Sequence, residues 1–198
     1  MVLYTLFAQV NAKRMHLAWV EKVEDRSGLP QQESLLAVLL KRSDMMRERT
    51  LLLIKPDAIQ RGLIGEILLR FEKKGFRLAG MKMLRMTKEL AREHYAHLVS
   101  KPFYPDLEKF VTEHPLIAVV IEGKEAVEVT RTIVGPTNAS KAPGGTIRGD
   151  LSNSTSRNVI HASDSKETAA KEIPRFFKPT ELFDYSMNIG SYLYASDE

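Results

Sequence analysis

The chain has 198 residues, 43% of them apolar, with 29 basic against 25 acidic side chains, a net charge of +4 and no cysteine. That composition supports the core of one ordinary domain plus a shorter appendage, and it excludes disulfide frameworks, thiolate metal sites and thiol catalysis. The longest apolar runs, "LLAVLL" at 35–40 and "LIAVVI" at 116–121, are far shorter than the roughly 20 residues of a membrane span, and the mild basic excess suits anionic ligands without demanding nucleic acid.

In chain order, residues 1–28 show no sustained periodicity. Asn11, Lys13 and Arg14 interrupt the first apolar stretch, so no secretory leader is expected, and the lack of cysteine fits a cytoplasmic protein. "ESLLAVLLKRS" could form a short helix with Leu35, Leu36, Leu39 and Leu40 on one side. The character of the chain changes near Met45 and Met46. The expected division is an extension over 1–45 and a main domain over 46–198.

From Thr50 the pattern sharpens. "TLLLI" reads as a buried strand, and "GLIGEILLRFEKKG" places Ile64, Ile67, Leu68 and Phe71 on one helix face, closed by Gly75. "FRLAGMKMLRM" reads as a second strand. "TKELAREHYAHLV" predicts a helix capped by Thr87, with Leu90, His94 and Leu98 on its apolar side. "YPDLEKFVTEH" predicts a helix begun by Pro105, and "LIAVVIEG" a central strand apolar on both faces. "KEAVEVTRTIVG" is a helix ended by Gly135, "NVIH" a fourth strand and "SKETAAKEIPRFF" a last helix. That order predicts an α+β fold of ferredoxin-like type, a four-stranded, mostly antiparallel sheet covered by helices.

The chain contains neither G-x-x-x-x-G-K-[ST] nor G-x-G-x-x-G, so side chains would have to hold any phosphate. Lys55, Arg131 and Arg148 lie where strands and helices end, although each alone reads first as a solvated surface charge. Glycines around Arg148 suggest a tight irregular loop that turns the guanidinium inward. His161, at the edge of "NVIH", reads on its own stretch first as a satisfied core histidine.

The motifs "LLLIKPDAIQRGLIGEI", "HYAHLVSKPFYPDL", "GTIRGD" and "RNVIHASDS", in that order and spacing, resemble the nucleoside diphosphate kinase family over about residues 47–194. The resemblance implies reversible transfer of the terminal phosphate of a nucleoside triphosphate to a nucleoside diphosphate, by a ping-pong route through a phosphohistidine. On the matched positions His161 is the phosphorylated residue, oriented by Glu172 with Ser163 as a further partner. Lys55, Arg131, Thr137 and Arg148 surround the phosphates, Tyr95 lies near the histidine, Asn158 and Lys55 meet the sugar, and Phe103 stacks on the base. Neutral imidazole suits such a shuttle, being nucleophilic near physiological pH and a labile donor once phosphorylated. Mg2+ is implied as the cofactor, held mainly by nucleotide phosphates. A homo-oligomer is implied, hexamer ahead of tetramer.

Ala139 stands where the family commonly has proline, Pro143 sits one place early and Ala162 replaces a glycine. The first two fall in a loop that the resemblance places at subunit contacts. The competing reading is a nucleotide-dependent binding or regulatory protein on the same fold; RNA binding by exposed strand aromatics is disfavoured, since "LLLI" and "LIAVVI" carry none.

Overall fold

A computed structural model of the chain describes residues 48–185, 187 and 193. The helix expected at 33–43 lies outside the described residues. Strand β1, Glu48–Ile54, begins two residues before the apolar run that announced it. Pro56 then opens a one-turn helix α1, Pro56–Gln60, too short for apolar periodicity to reveal. Helix α2, Ile64–Lys74, buries Ile67 and Phe71 and ends at Gly75, whose φ of 95° is the left-handed conformation a side chain resists. Strand β2, Arg77–Leu84, comes next.

The segment after β2 departs from expectation. Helix α3, Lys88–His94, is capped by the Thr87 hydroxyl, which accepts from the Leu90 amide at 3.2 Å, but it closes at Tyr95. A 3-10 turn, Ala96–Leu98, continues the chain, so Leu98 shares no single helix with Leu90 and His94. Helix α4, Tyr104–Glu113, leads to strand β3, Leu116–Gly123, and helix α5, Ala126–Val134, ends at Gly135. Arg148 lies on a short helix α6, Ile147–Leu151, and not in an irregular loop, because the Thr146 hydroxyl caps the Gly149 amide at 3.0 Å. Strand β4, Ile160–Ala162, and helix α7, Lys166–Phe176, complete the set, the latter capped by Ser165.

The sheet runs β2-β3-β1-β4 and every pairing is antiparallel, the ferredoxin-like order expected. Alternation along β1 sends Leu52 and Ile54 to one face, where they pack with Ile67, Phe71, Val119 and Ile160. Leu51 and Leu53 go to the other, with Ala118, Val120, Phe110 and Phe176. The register pairs His161 with Leu53. The imidazole therefore belongs to the second face, beneath α3 and α7. Ala139 and Ala162 are both buried, so the small side chains at these two positions sit inside the packing.

The two faces of α2 can be told apart by mutation. Phe71 is fully buried whereas Leu69 is 44% exposed. Phe71→Ala should lower unfolding free energy by about 3–5 kcal/mol and Leu69→Ala by less than about 0.5 kcal/mol, as read by urea denaturation.

Candidate active site

The centre is built on β4 and α7. His161 Nε2 lies 3.0 Å from Glu172 Oε2, and since a carboxylate only accepts, the imidazole donates its Nε2–H and leaves Nδ1 with the free lone pair. Ser163 donates its hydroxyl to the same carboxylate oxygen at 2.7 Å. Burial pushes the Glu172 pKa up, but the hydrogen bond and charge of His161, then the Ser163 bond, outweigh it and hold the carboxyl at about 2. Glu172 is thus ionised at neutral pH. Behind it sits His94, whose ring meets those of His161 and Tyr95 edge-on, each at a centroid distance of 4.6 Å. Burial first, and the nearby His161 second, lower its pKa to about 3, so His94 is neutral.

Two buried cations face the same space. Lys55, at the end of β1, donates to Asn158 Oδ1 at 2.6 Å. Arg148 donates to the carbonyls of Gly135 at 2.8 Å and Ile160 at 2.7 Å, with a longer contact to Asn158 O at 3.4 Å. Both are held by neutral oxygens and not by carboxylates. Burial, followed by the charge of Arg148, drops the Lys55 pKa to about 8, and burial followed by Arg131 drops that of Arg148 to about 10. A site that penalises its own positive charges in this way is prepared for an anion. Arg131, from the last turn of α5, lies close enough to be felt by Arg148.

Backbone strain fixes the segment between them. Val159 has φ 60°, a conformation that a β-branched residue adopts only under constraint. Asp57 Oδ2 accepts its amide at 3.0 Å, and its carbonyl accepts the Lys55 amide at 2.9 Å. Asn158 is pinned in turn, its amide donating to the carbonyls of Thr137 and Thr155.

These groups line one cavity of about 910 Å³. Lys55, Tyr95, Phe103, Arg131, Thr137, Arg148, Asn158, His161 and Glu172 all contribute to its wall, and Ser163 lies buried behind Glu172. Every residue singled out in the sequence is therefore brought together. Phe103 is 52% exposed, presenting an aromatic face at the rim. Burial raises the Tyr95 pKa well above the ordinary phenol value, so its hydroxyl stays protonated. The sequence reading missed His94, which it counted as an apolar-face position of a helix, and Asp57, whose carboxylate holds Val159. The signal available was a histidine between Leu90 and Leu98 on a face that otherwise buries hydrocarbon.

Comparison with known proteins agrees with this geometry. A family model described as nucleoside diphosphate kinase matches residues 48–182. The chain belongs to the nucleoside diphosphate kinase family. A nucleoside diphosphate kinase of Parabacteroides distasonis is 53% identical over 151 residues, covering 76% of this chain and 99% of that one. One from Staphylothermus marinus is 52% identical, covering 71% and 100%. Among solved structures, a halophilic nucleoside diphosphate kinase from Halobacterium salinarum, in complex with CDP, superposes with a TM-score of 0.73 at 43% identity over 75% of this chain and 99% of that chain.

As a nucleoside diphosphate kinase, the protein is a phosphotransferase that moves the terminal phosphate of a nucleoside triphosphate to a nucleoside diphosphate. The family match takes in every site residue named above. Among the described residues no helix is long and apolar enough to cross a membrane.

Gly149 bears on the site through shape. A Cβ there would lie 2.1 Å from the Pro143 carbonyl oxygen, which belongs to the backbone and has little room to yield. Gly149→Ala should displace α6 and Arg148 with it, reducing turnover more than tenfold and lowering the thermal midpoint. Unchanged kinetics with an unchanged midpoint would contradict the close packing.

Proposed function

We propose that His161 carries the phosphoryl group between the two nucleotides. The Nδ1 lone pair attacks the γ-phosphorus, the bond from that phosphorus to the bridging oxygen breaks, and the nucleoside diphosphate leaves with the electron pair. Glu172 keeps the Nε2–H and offsets the positive charge that grows on the ring. In the second half a β-phosphate oxygen of the acceptor attacks the phosphorus, the phosphorus–nitrogen bond breaks and the imidazole is restored neutral. No proton changes owner in either half, which suits a site without a general base at Nδ1.

Transfer of this kind is governed by positioning and charge stabilisation. Lys55, Arg131 and Arg148 hold the phosphates, Thr137 adds a hydroxyl, and Tyr95 supplies an O–H donor near the transferred group. Lys55 and Asn158 also meet the sugar. Phe103 stacks on the base, and since every base has a π-face, stacking without edge recognition leaves the enzyme indifferent to base identity. The divalent ion is Mg2+ carried on the nucleotide phosphates, and as such part of the substrate. The cluster of candidate metal ligands among the described residues is the nitrogen-rich set His94, His161 and Glu172, whose donors do not suit Mg2+. The oligomer is a homo-oligomer, hexameric in preference to tetrameric, working in the cytoplasm, with residues 1–45 an accessory extension to a kinase domain over 46–198.

The observation that carries this reading is the coincidence, in one cavity, of a carboxylate-oriented imidazole with two buried cations held only by neutral oxygens. It supports an active enzyme over a regulatory protein, because a site that merely binds nucleotide has no use for the Glu172 carboxylate fixed on Nε2.

Incubation with γ-labelled ATP should place label on the protein that is lost in acid, kept in base, and passed to several nucleoside diphosphates. His161→Ala should abolish labelling and lower turnover by several orders of magnitude with little effect on folding. Acid-stable label would show transfer to serine or threonine instead. Phe103→Ala should weaken all nucleotides alike, by about 1–3 kcal/mol.

Lys55 gives the site a pH signature. Its pKa in the free site is about 8 against an ordinary 10.5, and bound phosphate must raise it again. Nucleotide binding above pH 8 should therefore take up a proton, and affinity should fall as pH rises through the interval from about 8 to 10.5. Calorimetry in buffers of different ionisation enthalpy reads the uptake directly. Lys55→Met should eliminate it, and equal heats in all buffers for the unmutated chain would contradict the assignment.

A further inference from the structure

We infer that His94, His161 and Glu172 form a second cation site, selective for a borderline metal such as Zn2+, whose occupancy inhibits phosphoryl transfer. The inhibition rests on His161 being the phosphoryl carrier; the binding does not.

Two imidazoles and one carboxylate are a donor set that Zn2+ prefers and Mg2+ does not. His94 Nδ1 lies 3.8 Å from Glu172 Oε1, and His161 Nε2 lies 3.0 Å from Glu172 Oε2. One donor atom from each residue falls within 4.8 Å of the others. A tetrahedral zinc with bonds of about 2.0–2.2 Å sets its donors about 3.3–3.5 Å apart, so closing the site needs a contraction of about 1 Å. Small rotations of Glu172 and of His161, whose side chain is 21% exposed, supply it. The two imidazoles already stand edge to face, 76° apart.

His94 is the independent sign that something is unfinished. Its side chain is fully buried, yet neither ring nitrogen has a hydrogen-bond partner. Buried polar atoms are rarely left so, and each one costs on the order of 1–3 kcal/mol. Nothing in the transfer chemistry uses this ring. Thr50 and Thr130 also carry unpartnered buried hydroxyls and Asp57 an unpartnered carboxylate oxygen, but none of them belongs to a cluster of metal-ligating groups among the described residues. The cavity beside His161 offers the ion its entry and a water as fourth ligand.

Binding through Nε2 would require the other neutral tautomer: the ring proton moves from Nε2 to Nδ1, none is released overall, and Glu172 gives up its hydrogen bond with the ring. Nδ1 then carries the ring proton and has no lone pair to offer phosphorus. The nucleophile is both masked and tethered, and uptake of phosphate from the triphosphate slows.

The test uses the full chain in excess Mg2+. Zn2+ titrated in competition with a chromophoric chelator should fill one site per chain, and His94→Gln and His161→Asn should each lower its affinity by about tenfold or more. His161→Asn alters a partly exposed ring, so it answers the question even if His94→Gln folds poorly. Cobalt(II) in place of zinc should develop the visible absorption of nitrogen ligation, and that absorption should vanish in both variants. With zinc bound, labelling of the chain from γ-labelled ATP should slow in proportion to occupancy. Zinc held equally by both variants would place it on other histidines, such as His97 or His114, and overturn the site. Zinc bound at the triad with labelling at full rate would overturn the inhibition. A chain that takes no label even without zinc would overturn the phosphohistidine reading, while the titration would still decide the metal site.

Discussion

The hydrogen bond from His161 Nε2 to the Glu172 carboxylate is the constraint around which the rest is arranged. It chooses the tautomer, and therefore which nitrogen can attack. It also requires a strand and a helix to be held in fixed relation. The antiparallel pairing of β4 with β1 sets His161 opposite Leu53, and α7, capped by Ser165 and packed on β1, sets Glu172 above it. A one-residue slip in that short pairing would turn the imidazole to the opposite face of the sheet. Ser163, two residues along the same strand direction, closes the arrangement by donating to the same oxygen and by receiving the Leu51 amide.

Around that pair the protein accepts costs that only a ligand can relieve. Lys55 and Arg148 are buried with neutral oxygens and no carboxylate as hydrogen-bond acceptors, Val159 is held at positive φ, and the three are linked through the backbone and side chain of Asn158. Strain of this sort costs on the order of 1–3 kcal/mol and persists only where surrounding structure over-determines it. Here Asp57 and Lys55 do so by bonding both sides of Val159. The result is a rigid set of donors aimed into the cavity before any phosphate arrives, as electrostatic preorganisation requires.

How much was legible in the sequence depended on the range of the interactions. The strands and most helices were visible because period and capping are local: Gly75 and Gly135 mark helix ends, and Thr87 caps α3. The break at Tyr95 was invisible, since the apolar spacing of Leu90, His94 and Leu98 continues across it. The glycines beside Arg148 were misread for a related reason. Gly149 is used for contact, pressed on the Pro143 carbonyl, and Gly145 for its φ of 90°, while Thr146 caps a helix turn between them. The site residues were found through motifs matched as a set, and His94 was not, because an imidazole on an apolar face gives no hint of the groups that stand across from it in the fold.

Which imidazole nitrogen takes the phosphate decides the mechanism. With 15N-histidine in the chain, phosphorylation by nucleoside triphosphate and observation of phosphorus–nitrogen coupling assign the bond directly. Coupling at Nδ1 of His161, with Nε2 still carrying its proton toward Glu172, is the predicted result. Phosphorus on Nε2 would mean that the Glu172 hydrogen bond is broken in the reaction, and would contradict the mechanism at its centre.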